Sequence, residues 1–169
     1  METKQYKTWD KSRWEDGPWK DEPDKVQWQD PITGYPCLVV RAGHGGLCGY
    51  VGVPESHPDY GKSCDDVPVE AHGGTNFSDS CQPGPSEAYG ICHVPGPGES
   101  DKIWWFGFDC AHSSIDLTPK IIRDPWTLEC EALMEQAFPN RKYRTLEFVR
   151  AEVSHLARQL KCREQIIDR

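Results

Sequence analysis

The run Trp104-Trp105-Phe106-Gly107-Phe108-Asp109-Cys110-Ala111-His112, followed by Asp116, passes from a dense aromatic stretch into a carboxylate, a thiol and an imidazole. A cysteine nucleophile needs a base that lowers its pKa, and the base needs a carboxylate to orient it. Cys110 and His112 are two apart, so on a continuing strand both side chains project to one side. The competing reading makes Cys110 a core residue and gives His112 and Asp116 the task of fixing the loop after the strand.

A second cluster, His72-Gly73-Gly74-Thr75, lies upstream. Paired glycines let main-chain N–H groups approach a phosphate or an oxyanion closely. Hydrolases that use such runs normally add a G-x-S-x-G elbow, which this chain lacks. A metal site could draw on His72, His112, Cys110 or Asp116, with His57 or His93 as further ligands. No HExxH or C-x-x-C spacing supports one, so the expectation is no metal and no cofactor. Cys92 and His93 are adjacent and face opposite ways on a strand, so they do not share an ion.

The loop Gly52-Val53-Pro54-Glu55-Ser56-His57-Pro58-Asp59-Tyr60-Gly61-Lys62 offers a ring, a cation and an imidazole. With Trp104 or Trp105 it could hold a base or a ribose phosphate, rings stacking while Arg41 or Lys62 meets phosphate. The expected ligand-binding set is Arg41, Tyr60, Lys62, His72, Gly73, Gly74, Thr75, Trp104, Trp105, Asp109, His112 and Asp116. In it Trp104, Trp105 and Tyr60 wall the ligand, and His72, the glycine amides and Thr75 meet phosphate or ribose. Asp109, His112 and Asp116 bond sugar or base.

These residues need a scaffold. Cys37–Arg41 and Leu47–Val53 read as the strands of a hairpin turned by residues 42–46, and residues 67–69 also look strand-like. Ile103–Cys110 is the clearest strand, with Trp104, Phe106, Phe108 and Cys110 on one face and Ile103, Trp105, Gly107 and Asp109 on the other. Proline-glycine runs at 83–85 and 95–98 flank a short segment from Tyr89 to Val94. Leu146, Val149, Val153, Leu156, Ala157 and Leu160 recur at helical spacing behind Thr145 as N-cap. A further helix is expected over Trp126–Gln136, starting near Asp124-Pro125. The class is therefore α+β, a mainly antiparallel sheet with long Gly/Pro-rich loops and one or two C-terminal helices packed on it. Residues 1–30, with Trp9, Trp14, Trp19 and Trp28, read as an extended arm laid on the rest of its own chain or on a second subunit. Residues 31–169 read as one domain.

At 169 residues the chain is long enough for a real hydrophobic core. A net charge of −8 opposes non-specific binding to duplex nucleic acid, which needs a positive face. Local cations for a small anion are Arg41, Lys62, Lys102, Lys120, Arg123, Arg141 and Arg144. No apolar run reaches the length of a membrane span, and the N-terminus lacks the apolar core of a signal peptide, so the expected location is cytoplasmic. The eight cysteines are then expected to be mostly free thiols buried as small hydrophobes.

Trp19-Lys20-Asp21-Glu22-Pro23-Asp24-Lys25-Val26-Gln27-Trp28, Gly49-Tyr50-Val51-Gly52-Val53 with His57-Pro58 and Tyr60-Gly61-Lys62, His72-Gly73-Gly74 and the aromatic-to-His run together resemble a group of short, uncharacterised proteins of tailed bacteriophages, prophages and bacteria. The likeness runs from about Trp19 to the C-terminal helix and supplies a setting rather than a chemistry. Small phage accessory proteins often act against host defence. In that setting, an acidic chain with aromatic and glycine-rich pocket elements and no complete catalytic motif reads as a non-enzymatic small-ligand-binding protein, a phage counter-defence factor that sequesters a nucleotide-derived immune signal in the host cytoplasm. The alternatives are a hydrolase of nucleotides or amides centred on His72, His112 and Asp109 or Cys110, and an inhibitor that binds a protein partner. A homo-oligomer formed through the tryptophan-rich arm completes the expectations.

Overall fold

A computed structural model describes residues 1–119 and 125–167, with the side chains of 125–127 and 167 left aside. Lys120, Arg123 and Asp124 lie outside the described residues.

Six strands form the main antiparallel sheet, in the order β1-β2-β3-β4-β8-β5. They are β1 (Lys4–Tyr6), β2 (Lys25–Gln29), β3 (Pro36–Arg41), β4 (Leu47–Pro54), β5 (Phe77–Ser80) and β8 (Ile103–Asp109). A separate ribbon pairs β6 (Gln82–Pro83) with β7 (Gly90–Ile91). Helices α1 (Pro125–Ala137) and α2 (Leu146–Ile167) follow. The fold is α+β, and no helix among the described residues is long and apolar enough to cross a membrane.

Alternation along the strands sorts residues between two faces. Val26, Trp28, Cys37, Val39, Val51, Phe106 and Phe108 point to one face, where Val149, Val153, Leu156 and Leu160 of α2 close the core. Their spacing of three and four residues makes the apolar stripe that lays α2 on the sheet. Gly49 lets the helix come close, because a β-carbon there would lie 2.6 Å from both Phe108 Cζ and Val153 Cγ2. The opposite face carries Leu38, Cys48, Tyr50, Ile103 and Trp105. The β3–β4 hairpin, the division of β8 between the faces and both helices are where the sequence places them. Thr145 caps α2, its Oγ1 accepting the Phe148 N–H at 3.3 Å.

Three expectations change. Residues 1–30 do pack on their own chain, with Trp14, Trp19 and Trp28 buried there, but as part of the main sheet, to which they give β1 and β2, and not as an extended arm. Residues 67–69 form no strand; a single 3-10 turn, Cys64–Asp66, precedes them, and Pro68 cannot donate to a ladder. Cys81 and Cys92 are not free thiols but a disulfide. The register Gln82↔Ile91 makes them the next cross-strand pair, with Cα atoms 4.8 Å apart. Of the six free cysteines Cys37, Cys48 and Cys110 are buried, Cys64 is half-buried, and Cys130 and Cys162 are exposed.

Candidate functional site

β8 ends at Asp109, and the chain turns at once. Asp109 Oδ1 accepts the Ala111 N–H at 2.9 Å, and Oδ2 accepts Asn76 Nδ2 at 2.5 Å. The main-chain N–H groups of Ile115 and Asp116 both donate to the His112 carbonyl, folding residues 112–116 back on themselves. Asp116 thereby lies beneath its own turn and forms a bridge to Lys142. The bridge places Arg144, two residues further on, where its Nε donates to Asp116 Oδ1 at 2.8 Å.

Asp116 is the centre of the site, and none of its side chain is exposed. His72 Nε2 stands 2.8 Å from its Oδ1 and 3.0 Å from its Oδ2. His112 Nδ1 stands 2.9 Å from Oδ2, which also accepts the His112 main-chain N–H at 3.0 Å. Burial alone would raise the Asp116 carboxyl. The hydrogen bonds from Arg144, His72 and His112 outweigh that and hold it below the ordinary carboxylate value. The two imidazoles meet edge to face with centroids 5.4 Å apart. Phe148 of α2 supports His72 at 5.3 Å, and the Arg144 guanidinium lies 4.9 Å over the same ring.

Gly73 makes the approach possible. Its φ is +69°, and a β-carbon there would lie 2.0 Å from His112 Cε1. Gly74 also has positive φ, +91°, and donates to the Ala71 carbonyl at 2.9 Å. Thr75 follows half-buried, and Asn76 joins the site through Asp109.

His72, Gly73, Gly74, Thr75, Asp109, His112 and Asp116 are thus neighbours, as the sequence suggests. The other expected ligand residues are elsewhere. Trp104 and Asp109 are five residues apart on one strand, about 16 Å at roughly 3.3 Å per residue. Around Trp104 lie Tyr60, with ring centroids 6.0 Å apart, and Lys62, whose carbonyl accepts Trp104 Nε1 at 3.0 Å. The Lys62 ammonium is committed to Asp59 at 2.9 Å. Trp105 is fully buried on the face away from α2, beside the His93 ring at 5.6 Å, and cannot wall a surface ligand.

Arg41 is no free cation either. Its guanidinium is buried against Asp24 (2.7 Å), Glu22 (3.3 Å), the Gly45 carbonyl (2.8 Å) and Tyr143 Oη (3.1 Å). A cleft of about 440 Å³ opens beside it, lined by Trp9, Asp24 and Tyr89 among others. Lys11, Arg41 and two main-chain N–H groups already occupy the Asp24 carboxylate there.

Cys110 is not a nucleophile in this arrangement, because burial among apolar residues pushes its thiol well up and the Asp116 charge adds to the shift. Arg144 and Phe148 are the site residues that sequence reasoning missed. Arg144 stands among several equivalent cations in the sequence, and Phe148 reads only as a residue of α2. No protein-family model, no curated protein and no solved structure matches the chain.

Proposed function

We propose that the protein binds a small phosphate-bearing ligand at the cluster of His72, Gly73, Gly74, His112, Asp116 and Arg144. In the setting implied by the phage resemblance, the ligand is a nucleotide-derived signal of host defence that the protein sequesters in the host cytoplasm. One observation carries the reading: two imidazoles and a guanidinium, from three separate segments, converge on one fully buried carboxylate. The buried carboxylate of Asp24 is also multiply partnered, but by Lys11, Arg41 and main-chain N–H groups and by no imidazole. At Asp116 two of the three side-chain partners are partly exposed imidazoles, which make a polar patch with ring nitrogens to spare.

His57 shows what a structural histidine looks like in the same chain. It is buried, its Nε2 lies 2.9 Å from the Leu160 carbonyl, and its Nδ1 accepts the Asp59 N–H at 3.0 Å. In contrast, the outer nitrogens of the site, Nδ1 of His72 and Nε2 of His112, have no hydrogen-bond partner among the described residues. That freedom also favours a second reading, a hydrolase in which the two imidazoles exchange protons with substrate while Asp116 orients both. Oligomerisation through residues 1–30 forms no part of the proposal, since β1 and β2 are spent on the chain's own sheet.

Native mass spectrometry of the protein purified from cells, with heat-released small molecules analysed beside it, tests both readings. An intact phosphate-bearing ligand that disappears in His72→Asn supports sequestration, whereas released products support hydrolysis. A ligand retained in both His72→Asn and His112→Asn would place binding elsewhere.

A further inference from the structure

We infer that His72, His112 and Asp116 together bind a divalent first-row transition-metal ion, whose open coordination positions face the ligand. The inference rests on the reading of this cluster as a ligand site and names what holds the phosphate there.

The geometry is close to that of a bound ion. One nitrogen from each imidazole and one Asp116 oxygen all lie within 4.8 Å of one another. Ligand atoms about 2.1 Å from a four-coordinate zinc stand roughly 3.4 Å apart. With Asp116 Oδ2 as that oxygen, the edges to His72 Nε2 and His112 Nδ1, at 3.0 and 2.9 Å, are already that short. Only the edge between the imidazoles has to close, by no more than about 1.4 Å on the same zinc geometry.

The donor set suits the ion class. Imidazole with carboxylate selects zinc, iron, cobalt or nickel over calcium and magnesium, which prefer all-oxygen cages. Three protein ligands leave a position open, as catalytic and ligand-binding sites do and closed structural sites do not. Side-chain exposure places that opening: none for Asp116, 10% for His72 and 28% for His112. An ion would therefore meet solvent on the His112 side.

Binding needs no net loss of protons from the neutral rings. In the metal-free site the inner nitrogens donate N–H to Asp116; on binding, a neutral ring's proton moves to its outer nitrogen and frees the inner lone pair for the metal. The Arg144 guanidinium on Oδ1 and the His112 N–H on Oδ2 hold the carboxylate in place, the supporting contacts that metal-binding carboxylates normally have. With Asp116 and Asp109 at −1 each, the latter 3.8 Å from His112 Nδ1, and Arg144 at +1, a divalent ion leaves the site with a net positive charge. The loaded site then favours an anion such as phosphate.

The test uses the full chain in a Cys130→Ser/Cys162→Ser background, which removes the exposed thiols as competing ligands. Chelator-stripped protein is titrated with zinc by calorimetry and with cobalt by its visible d–d absorption. The inference expects one ion per chain, with affinity at least about tenfold weaker in each of His72→Asn and His112→Asn. It is overturned if no zinc binds, or if zinc binds equally in both variants. Phosphate-bearing ligand lost in those variants without any zinc effect would sink the metal alone and leave the binding reading standing. Zinc bound through both histidines with no organic ligand recovered would do the reverse.

Discussion

The imidazole of His112 lies across the Cα of Gly73, so that a β-carbon at Gly73 would fall 2.0 Å from Cε1 and 2.1 Å from Nε2. Gly73 also has a φ of +69°, where any L side chain is strained by about 1–2 kcal/mol. Gly74, at +91°, has nothing within 4 Å of its virtual β-carbon. Gly74→Ala should therefore cost only the backbone strain, about 1 kcal/mol, with the histidine pair intact. Gly73→Ala adds the collision and should cost at least about 1 kcal/mol more, pushing His112 off Asp116. Urea unfolding of the two variants measures the difference; equal midpoints would mean that the ring swings aside freely.

The acid side of the stability profile depends on buried carboxylates. Hydrogen bonds from Arg163 hold the Asp59 carboxyl down from 3.8 to about 2, with burial opposing and Lys62 assisting. Above pH 3.8 both folded and unfolded chains carry the charge, and the Arg163 pairing contributes in full. Between about 4 and about 2 the unfolded chain takes up a proton that the folded chain refuses, so stability falls as the pH falls. Asp116, also held below its ordinary value, acts in the same direction. Asp59→Asn should lower the urea midpoint at neutral pH and flatten its decline toward pH 3. A decline as steep as that of the unmodified protein would assign the acid sensitivity to other groups.

The sheet and helices were legible because alternation and helical spacing report burial directly, as with Trp104, Phe106 and Phe108 on β8 or Val149, Val153 and Leu156 on α2. The cluster of His72, His112 and Asp116 was legible in part, since both histidines sit beside turn-forming residues at strand ends. Nothing local distinguished Arg144 from the other cations; the bridge between Asp116 and Lys142, which joins segments 26 residues apart, brings it in. Arg41 and Trp105 misled for one reason. A charged or aromatic residue in a strand looks the same whether it faces a ligand or the interior. The Glu22 and Asp24 that hold Arg41 lie in a segment read as an arm, and the His93 ring beside Trp105 lies in a separate loop segment.

Arg41 should behave as a structural residue. Removing its guanidinium leaves the carboxylates of Asp24 and Glu22 near Lys11 alone, and Glu22 also accepts the Leu146 N–H at the start of α2 at 2.8 Å. Breaking one partner of such a buried network costs about 3–5 kcal/mol. We expect Arg41→Met to lose that much in urea unfolding while any folded fraction keeps normal ligand affinity. Weakened binding in fully folded protein would restore Arg41 to the site.

Lys25 anchors the disulfide ribbon from the opposite side. Its ammonium is buried and donates to three carbonyls, those of Glu87 (2.9 Å), Tyr89 (2.9 Å) and Cys92 (2.8 Å). Lys25→Met strands all three acceptors and should cost about 2–4 kcal/mol. Reducing the Cys81–Cys92 bond, which closes a loop of 11 residues, should cost at most about 3 kcal/mol by loop entropy. Because Lys25 holds the loop before β7 and the residue after it through the main chain, reduction alone should leave the β7 amides protected from hydrogen exchange. In Lys25→Met the same reduction should release them, and protection lost on reduction of the unmodified protein would show the disulfide to be the main restraint.

Trp105 and Trp19 separate packing from hydrogen bonding. Trp105 is fully buried and its Nε1 has no hydrogen-bond partner among the described residues, so the indole carries the cost of an unpaired buried donor. Trp19 is also buried, but its Nε1 donates to the Glu15 carbonyl at 2.8 Å. Trp→Phe removes similar volume at both sites. At Trp105 it also removes the stranded N–H, worth about 1–3 kcal/mol, so the net change should fall within about 1 kcal/mol of zero. At Trp19 it discards a made hydrogen bond, so Trp19→Phe should be the more destabilising by about 1 kcal/mol or more. Ligand retention should be unchanged in Trp105→Phe, since its ring lies on the sheet face away from α2 and Phe148. If Trp105→Phe stayed fully folded yet lost the ligand, the binding site would have to be sought on that other face.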